Sequence, residues 1–125
     1  MSAGLGMLKR EWEARWSGRF LGQAGPGSVD YLDGRVSSFV WYCDQFGCSL
    51  DEARKTLTQW LTPVDSAYLR SYQKAGVGLV DLFRSAALAN AIPGAHRGDP
   101  GLFSAVYDIA PDGRVRTYRV ALGEP

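Results

Sequence analysis

The chain has 125 residues, of which 46% are hydrophobic and 22% are charged. These proportions are those of ordinary globular domains, so they exclude collagen-like, disordered and disulfide-scaffold classes. Fourteen basic residues against thirteen acidic ones give a net charge of +1, which excludes a polycation that coats nucleic acid. The length has room for one folding unit, so we expect a single domain over residues 1–125.

The cysteine and histidine content limits the metal chemistry. Cys43 and Cys48 are the only cysteines and His96 is the only histidine, so a four-ligand Cys/His zinc site is excluded by ligand count. A Cys43–Cys48 disulfide is one alternative, but buried free thiols are commoner and are expected here. No signal peptide pattern and no apolar run of about 18 residues occurs. We expect a cytoplasmic protein that is neither secreted nor membrane-spanning.

The first predicted element is an amphipathic helix within residues 1–21. Apolar residues recur there at steps of three and four, with charged residues between them. Its stripe includes Trp12, Trp16 and Phe20. Such a stripe is typically core, which is the default interpretation, and the alternative is a face that binds a protein partner. Residues 22–28 are rich in glycine and proline and predict a connector.

Residues 34–90 predict a helical core. Residues 36–46 have apolar positions at helical spacing and end before Gly47, which suits a helix stop. Ser49 and Glu52 form a capping box that opens the next helix. A further helical pattern runs over residues 65–89, with Gly76 and Gly78 inside it, and we favour a break or kink near Gly76.

The C-terminal part predicts a β-hairpin after a loop at residues 90–101. Residues 102–110 and 114–122 are strand-like and flank Pro111-Asp112-Gly113, a strong turn signal. The expected fold class is therefore mostly α with a C-terminal β-hairpin (α+β), a compact domain of four or five helices.

The sequence lacks the motifs of the common catalytic classes. No phosphate-binding GxxxxGK[ST] occurs, and residues 76–81 (GVGLVD) lack the strand-before, helix-after setting of a dinucleotide site. No cue places a serine or cysteine beside His96, and residues 27–34 lack the ligand ladder of an EF-hand. A carboxylate dyad from distant residues stays open, but we expect no enzyme, no cofactor and no metal.

Residues 34–60 carry a Gly-Arg start, an apolar segment, the Gly47 turn, a Ser-Leu-Asp-Glu-Ala run from Ser49, and Trp60. This pattern resembles the αα-hairpin of the primase C-terminal helix-bundle family. The resemblance implies a helical domain of the replication machinery.

A second likeness joins residues 65–80 (DSAYLRSYQKAGVGLV) to residues 112–122 (DGRVRTYRVAL). Together they resemble the recognition helix and wing of winged-helix DNA-binding domains. The resemblance implies one groove-facing pair and three phosphate contacts on the wing. The five candidate nucleic-acid-binding residues are Arg70, Lys74, Arg114, Arg116 and Arg119. The alternative is a solvated face in which Arg116 pairs with Asp108 across the hairpin.

Two functions follow from these patterns. The first is a non-catalytic nucleic-acid-binding domain of replication or transcription type, which contacts DNA or RNA through local basic faces and binds in a salt-dependent manner. The alternative is a small protein-interaction module, such as an inhibitor, adaptor or subunit. That module would bind a protein partner or a second copy through Trp12, Trp16 and Phe20.

Overall fold

The computed structural model describes residues 4–16, 24–93 and 99–125. At its centre is a six-stranded antiparallel sheet with the strand order β1-β2-β6-β5-β4-β3. The strands are β1 (Gly25–Leu32), β2 (Arg35–Tyr42), β3 (Ala67–Lys74), β4 (Gly78–Arg84), β5 (Leu102–Ile109) and β6 (Val115–Leu122). The helices in these ranges are α1 (Lys9–Trp16), α2 (Leu50–Thr56) and α3 (Ala86–Ala91), and a π-helical turn (Leu57–Leu61) continues α2.

The expectation of a mostly α domain with four or five helices is wrong, because the sheet takes up most of the regular structure. Strand β2 shows the physical reason. Asp30 pairs with Ser38 and Tyr31 pairs with Val36, so one residue of β2 between these pairs is unopposed. This bulge lets Val36 and Phe39, three residues apart, both enter the core, and the same spacing is typical of a helix face.

The long helix expected over residues 65–89 is also wrong. Residues 67–84 form the hairpin of β3 and β4, and only Ala86–Ala91 is helical. Gly76 lies in the turn with a φ of +75°, which glycine adopts without the steric cost that other residues bear. The expected break near Gly76 is therefore a reversal of the chain, and the segment that resembles a recognition helix is strand, turn and strand.

Two predicted elements are confirmed. Strands β5 and β6 form the C-terminal hairpin. Helix α2 begins at the expected capping box, in which the Glu52 backbone N–H donates to Ser49 Oγ and the Ser49 N–H donates to the Glu52 carboxylate, both at 3.1 Å. Helix α1 covers part of the predicted N-terminal helix, while residues 17–23 lie outside the described residues. Residues 25–28 of the expected connector belong to β1.

The helices cover one face of the sheet. Phe39, Val120 and Ala105 are neighbours across β2, β6 and β5, and all three are fully buried. Asp81 of β4 continues this row. Helix α1 packs on the row through Trp12, whose ring lies 5.1 Å from that of Phe39. None of the helices in the described ranges has the length and apolar character needed to cross a bilayer.

The opposite face of the sheet is open over much of its area. Val40 and Arg119 are neighbours across β2 and β6, and neither is buried. Residues 123–125, called the C-terminal strap below, fold back across this face toward β3. There the Tyr72 hydroxyl donates to the Glu124 carboxylate at 2.5 Å. The strap therefore links the end of β6 to the far edge of the sheet.

A disulfide joins Cys43 and Cys48, so the expectation of free thiols is wrong. The two Cα atoms lie 5.7 Å apart, within the usual range for a disulfide. Strand β6 holds both cysteines, because the Cys43 N–H donates to Arg116 O at 3.0 Å and the Cys48 N–H donates to Val115 O at 2.9 Å. The backbone of β6 thus brings the two side chains together.

This pairing is tested by alkylation. We expect native protein treated with iodoacetamide to gain no adduct by mass spectrometry, and protein reduced under denaturing conditions to gain one adduct on each cysteine. Adducts on both cysteines of protein prepared without reductant would contradict the bonded state.

Two glycines form a matched pair for a stability test. Gly101 and Gly113 have φ angles of +84° and +83°, but only at Gly101 would a Cβ approach a backbone atom, Ser85 O at 2.3 Å. We expect Gly113→Ala to lower the free energy of unfolding by about 1–2 kcal/mol, the cost of the left-handed conformation. In Gly101→Ala the Cβ also forces apart two backbone segments that the hydrogen bond from the Ser85 N–H to Gly101 O holds together, so its loss should exceed about 3 kcal/mol. Urea denaturation measures both, and equal losses would refute the close approach.

Candidate functional site

The five predicted basic residues do not form one surface. Arg70 and Lys74 lie on β3, at the edge of the sheet, whereas Arg119 lies on β6. These strands are three positions apart in the sheet, which corresponds to about 14 Å. Arg114 and Arg116 lie where β6 begins, next to the turn after β5.

On the open face, each of the basic residues has a partner. Arg70 Nη2 lies 3.1 Å from the Glu124 carboxylate, and the Lys74 ammonium donates to the carbonyl of Pro125. Arg119 Nη2 lies 3.8 Å from the Asp30 carboxylate. The strap and β1 thus offset the positive charge of this face.

The two remaining arginines also have local partners. Arg114 donates to the carbonyls of Phe46 and Gly47, each at 3.0 Å, and so fixes the loop that the disulfide closes. Arg116 lies 4.0 Å from Asp112, four residues earlier, and not against Asp108 as the sequence suggested. Whether any of the five residues binds nucleic acid stays a prediction.

The aromatic stripe of the first helix faces the sheet. Trp12 is 4% exposed and belongs to the core, as the default interpretation of the stripe had it. Trp16 is half-buried, with its ring 5.1 Å from that of Trp41. Phe20 lies outside the described residues. Partner binding by these three residues stays a prediction, but little of the Trp12 side chain is available for it.

Asp81 is a buried carboxylate within a cluster of hydrogen-bond donors. Asp81 is 2% exposed and accepts hydrogen bonds from Arg54 Nε at 2.8 Å and Nη2 at 2.9 Å. It also accepts from the Tyr107 hydroxyl at 2.8 Å and from the Ser71 hydroxyl. These donors come from α2, β5 and β3, so Asp81 joins the helical layer to three strands.

The pKa shifts in this cluster indicate that Asp81 has a structural role and is not an acid–base catalyst. Burial raises the pKa of the Asp81 carboxyl, but hydrogen bonds from Arg54, Ser71 and Tyr107 outweigh that effect and leave the pKa below its usual value. Burial, followed by the charge of Asp81, strongly raises the pKa of the Tyr107 hydroxyl. The carboxylate therefore stays ionised and fully engaged, and no group of three or more metal-ligating side chains occurs in the described part of the chain.

Strand β3 is an open edge of the sheet. It pairs with β4 on one side, and on its other side none of the described residues donates or accepts a backbone hydrogen bond. Seven of its eight residues are exposed and the eighth, Tyr72, is half-buried. An uncapped edge of this kind is a template for a further strand.

The other edge of the sheet, β1, is protected. It begins with Gly25, Pro26 and Gly27, and its pairing with β2 contains two register shifts. Pro26 has no N–H to offer to a further strand. Gly27 lies so close to the Tyr42 ring that a Cβ there would be 2.1 Å from it. The two edges therefore differ in their capacity to accept a strand.

Exposed apolar side chains concentrate around β3. Among the described residues, nine large hydrophobic side chains are exposed, and five of them fall within residues 60–77. These five are Trp60, Val64, Tyr68, Leu69 and Val77. We call them the apolar rim. They lie on β3 and in the segments just before and after it, and exposed apolar side chains beside an unpaired edge strand are a common feature of protein-binding surfaces.

A cavity of about 240 Å³ adjoins the start of β3. Pro63, Val64 and Asp65 line one side of it and α3 lines another. Asp65 accepts from Ser85 Oγ at 2.5 Å and from the Ala87 N–H at 2.9 Å, and these hydrogen bonds hold the pKa of its carboxyl below the usual value. The rest of the lining is apolar, so the cavity suits an apolar side chain.

Sequence reasoning missed the apolar rim as a surface. It placed Tyr68 and Leu69 within the helix predicted over residues 65–89, so it did not indicate that they lie on an edge strand. The available signal was the Gly76 and Gly78 pair, since two glycines two residues apart between apolar runs are also typical of a hairpin turn.

No protein-family model matches the chain, and no curated protein and no solved structure is significantly similar to it. The resemblances to the primase helix-bundle family and to winged-helix domains therefore stay predictions.

The Asp81 cluster gives a stability prediction. Because the pKa of Asp81 is lower in the folded state than in the unfolded chain, its contribution is complete above about pH 4 and is lost as the pH falls through the folded value. We expect Asp81→Asn to lower the free energy of unfolding by about 3 kcal/mol at pH 7, since it leaves Arg54 without its charge partner. The difference in the free energy of unfolding between this variant and the wild type should shrink as the pH falls below about 4.

Urea titrations at a series of pH values measure this difference. The matched control is Asp108→Asn on β5, whose side chain is exposed and which should change stability by no more than about 0.5 kcal/mol. A difference that is the same at every pH would show that the charge of Asp81 contributes nothing.

Proposed function

We propose that the chain is a non-catalytic protein-interaction module that binds an extended segment of its partner along the outer edge of β3. The observation that carries the proposal is the open edge with the apolar rim beside it. The partner segment adds a strand, so its backbone supplies the affinity and the apolar rim supplies selectivity.

The difference between the two edges supports this proposal. Natural sheets protect their edges with proline, glycine bulges or inward charges, as β1 does. Strand β3 has one register shift, between Tyr68 and Arg70, and no proline. An edge left open beside exposed Tyr68 and Leu69 is a hazard for a free protein, and a bound partner removes that hazard.

The arrangement of the basic residues supports nucleic-acid binding less well than the β3 edge supports protein binding. A nucleic-acid surface needs several uncompensated positive charges on one face. Here Arg70, Lys74 and Arg119 each lie against a carboxylate or a carbonyl, and the other two arginines lie elsewhere. The segment that was expected to enter a groove as a helix is an edge strand. Nucleic-acid binding is accordingly an alternative outcome of the test below.

The cytoplasmic location stays a prediction. It rested on free thiols, and the bonded pair of Cys43 and Cys48 removes that premise, because disulfides persist mainly in oxidising compartments.

The proposal is tested by site-specific photocrosslinking in the source cells. Leu69 on β3 and Leu32 on β1 are both 40% exposed leucines on edge strands, so they form a matched pair. With benzoylphenylalanine at each position in turn, we expect a discrete covalent adduct to a protein from position 69 and none from position 32.

Equal adducts from both positions, or none from position 69, would refute binding at the β3 edge. Crosslinking to nucleic acid from position 69, with purified protein that binds DNA more weakly as salt rises, would replace the protein-binding proposal by the nucleic-acid one. The Leu69→Lys variant serves as a second probe, since an edge lysine discourages strand addition.

A further inference from the structure

We infer that the partner strand belongs to a second copy of this chain, so that two β3 edges pair antiparallel about a two-fold axis. This inference rests on the proposed function and names its partner. Most soluble homo-oligomers are closed two-fold dimers in which one patch contacts itself. The β3 edge satisfies three requirements of such a patch, which concern charge, shape and length.

The first requirement is that the edge does not repel its own copy. Strand β3 carries Arg70 and Lys74 and no acidic residue, so two bare edges would repel each other. Glu124 of the strap lies 3.1 Å from the Arg70 guanidinium and 2.5 Å from the Tyr72 hydroxyl. The strap thus places one negative charge beside the two cations, which lowers the charge of each edge from +2 to +1 and weakens the repulsion between copies.

The same compensation argues against an acidic peptide as the occupant. An acidic strand gains most where cations are free, but Arg70 and Lys74 already have partners from residues 124 and 125. The second copy brings an edge whose cations are already held by its own strap in the same way.

The second requirement is that the two ends of the edge fit each other. Antiparallel pairing places the end of one β3 beside the start of the other. The cavity rim at Val64 and Asp65 comes just before β3, whereas exposed Val77 comes just after it, in the turn to β4. Val77 of each copy therefore comes close to the residues that precede β3 in the other, near Val64, and this contact occurs twice in the dimer.

The third requirement is enough contact for a stable dimer. Eight residues of β3 give an edge about 26 Å long, with backbone hydrogen bonds along it. Standard interfaces bury about 800 Å² on each partner. Trp60, Val64 and Val77 lie beyond the ends of the strand and extend the contact past the backbone ladder. The result is one continuous sheet across both copies.

Sedimentation equilibrium of the purified full chain over a range of concentrations tests the dimer. We expect a species of twice the chain mass that dissociates on dilution. Leu69→Lys and Val77→Lys should each raise the dimer dissociation constant at least about tenfold, an effect of single charged groups at a paired edge. Leu32→Lys on β1 is the matched control and should leave the constant unchanged. Circular dichroism verifies that each variant is folded.

Glu124 of the strap allows a second test of the dimer, based on how its association depends on salt. A residue that only stabilised the fold would not produce this dependence. We expect Glu124→Gln to weaken the dimer at low salt, because Arg70 and Lys74 of the two copies then repel each other. High salt should restore the association of this variant, since it screens that repulsion.

Wild-type protein that stays monomeric at every concentration, or a dimer that persists unchanged in Leu69→Lys, would overturn the inference. If the purified chain is monomeric but position 69 still crosslinks a different protein in cells, the proposed function stands and only the second copy is refuted. If position 69 crosslinks nothing, both fail.

Discussion

The structure depends on how one carboxylate is buried. Asp81 lies in the middle of β4 under the helical layer, where an unpaired charge would cost several kcal/mol. Donors from α2, β5 and β3 satisfy it, so the charge that is expensive to bury also fixes which elements must meet. Ser71 is the contribution of β3. The exposed edge strand is therefore held by a side-chain anchor in addition to its single backbone ladder.

Local sequence patterns were enough to predict the capping box of α2 and the terminal hairpin. Both are decided by residues close in sequence, Ser49 with Glu52 and the turn around Gly113. The sheet itself was not predictable in this way. Bulges in β2 and β3 place buried or contacting residues three apart, which is the period of a helix, so the spacing of apolar residues alone does not distinguish a strand from a helix here.

The candidate site also depends on contacts between residues that are distant in the sequence, and local patterns did not predict these contacts. The sequence predicted nucleic-acid binding by Arg70, Lys74 and Arg119, which stays a prediction, but it did not reveal their distant partners: Glu124 follows Arg70 by 54 residues. Compensation of charge over such a separation is a property of the fold and not of a local pattern. The apolar residues around β3 were likewise visible in the sequence, but only the strand order reveals that they flank an edge.

The protected edge β1 has a consequence for the size of any assembly. A sheet with two open edges can add copies without end and grow into a fibre. Here the glycines, Pro26 and the register shifts of β1 leave only the β3 side able to pair. Once that side is occupied, both outer margins of the joined sheet are β1 strands, so growth stops at two. The proline and the glycines at one margin of the sheet thereby set an upper limit on the assembly that the other margin can build.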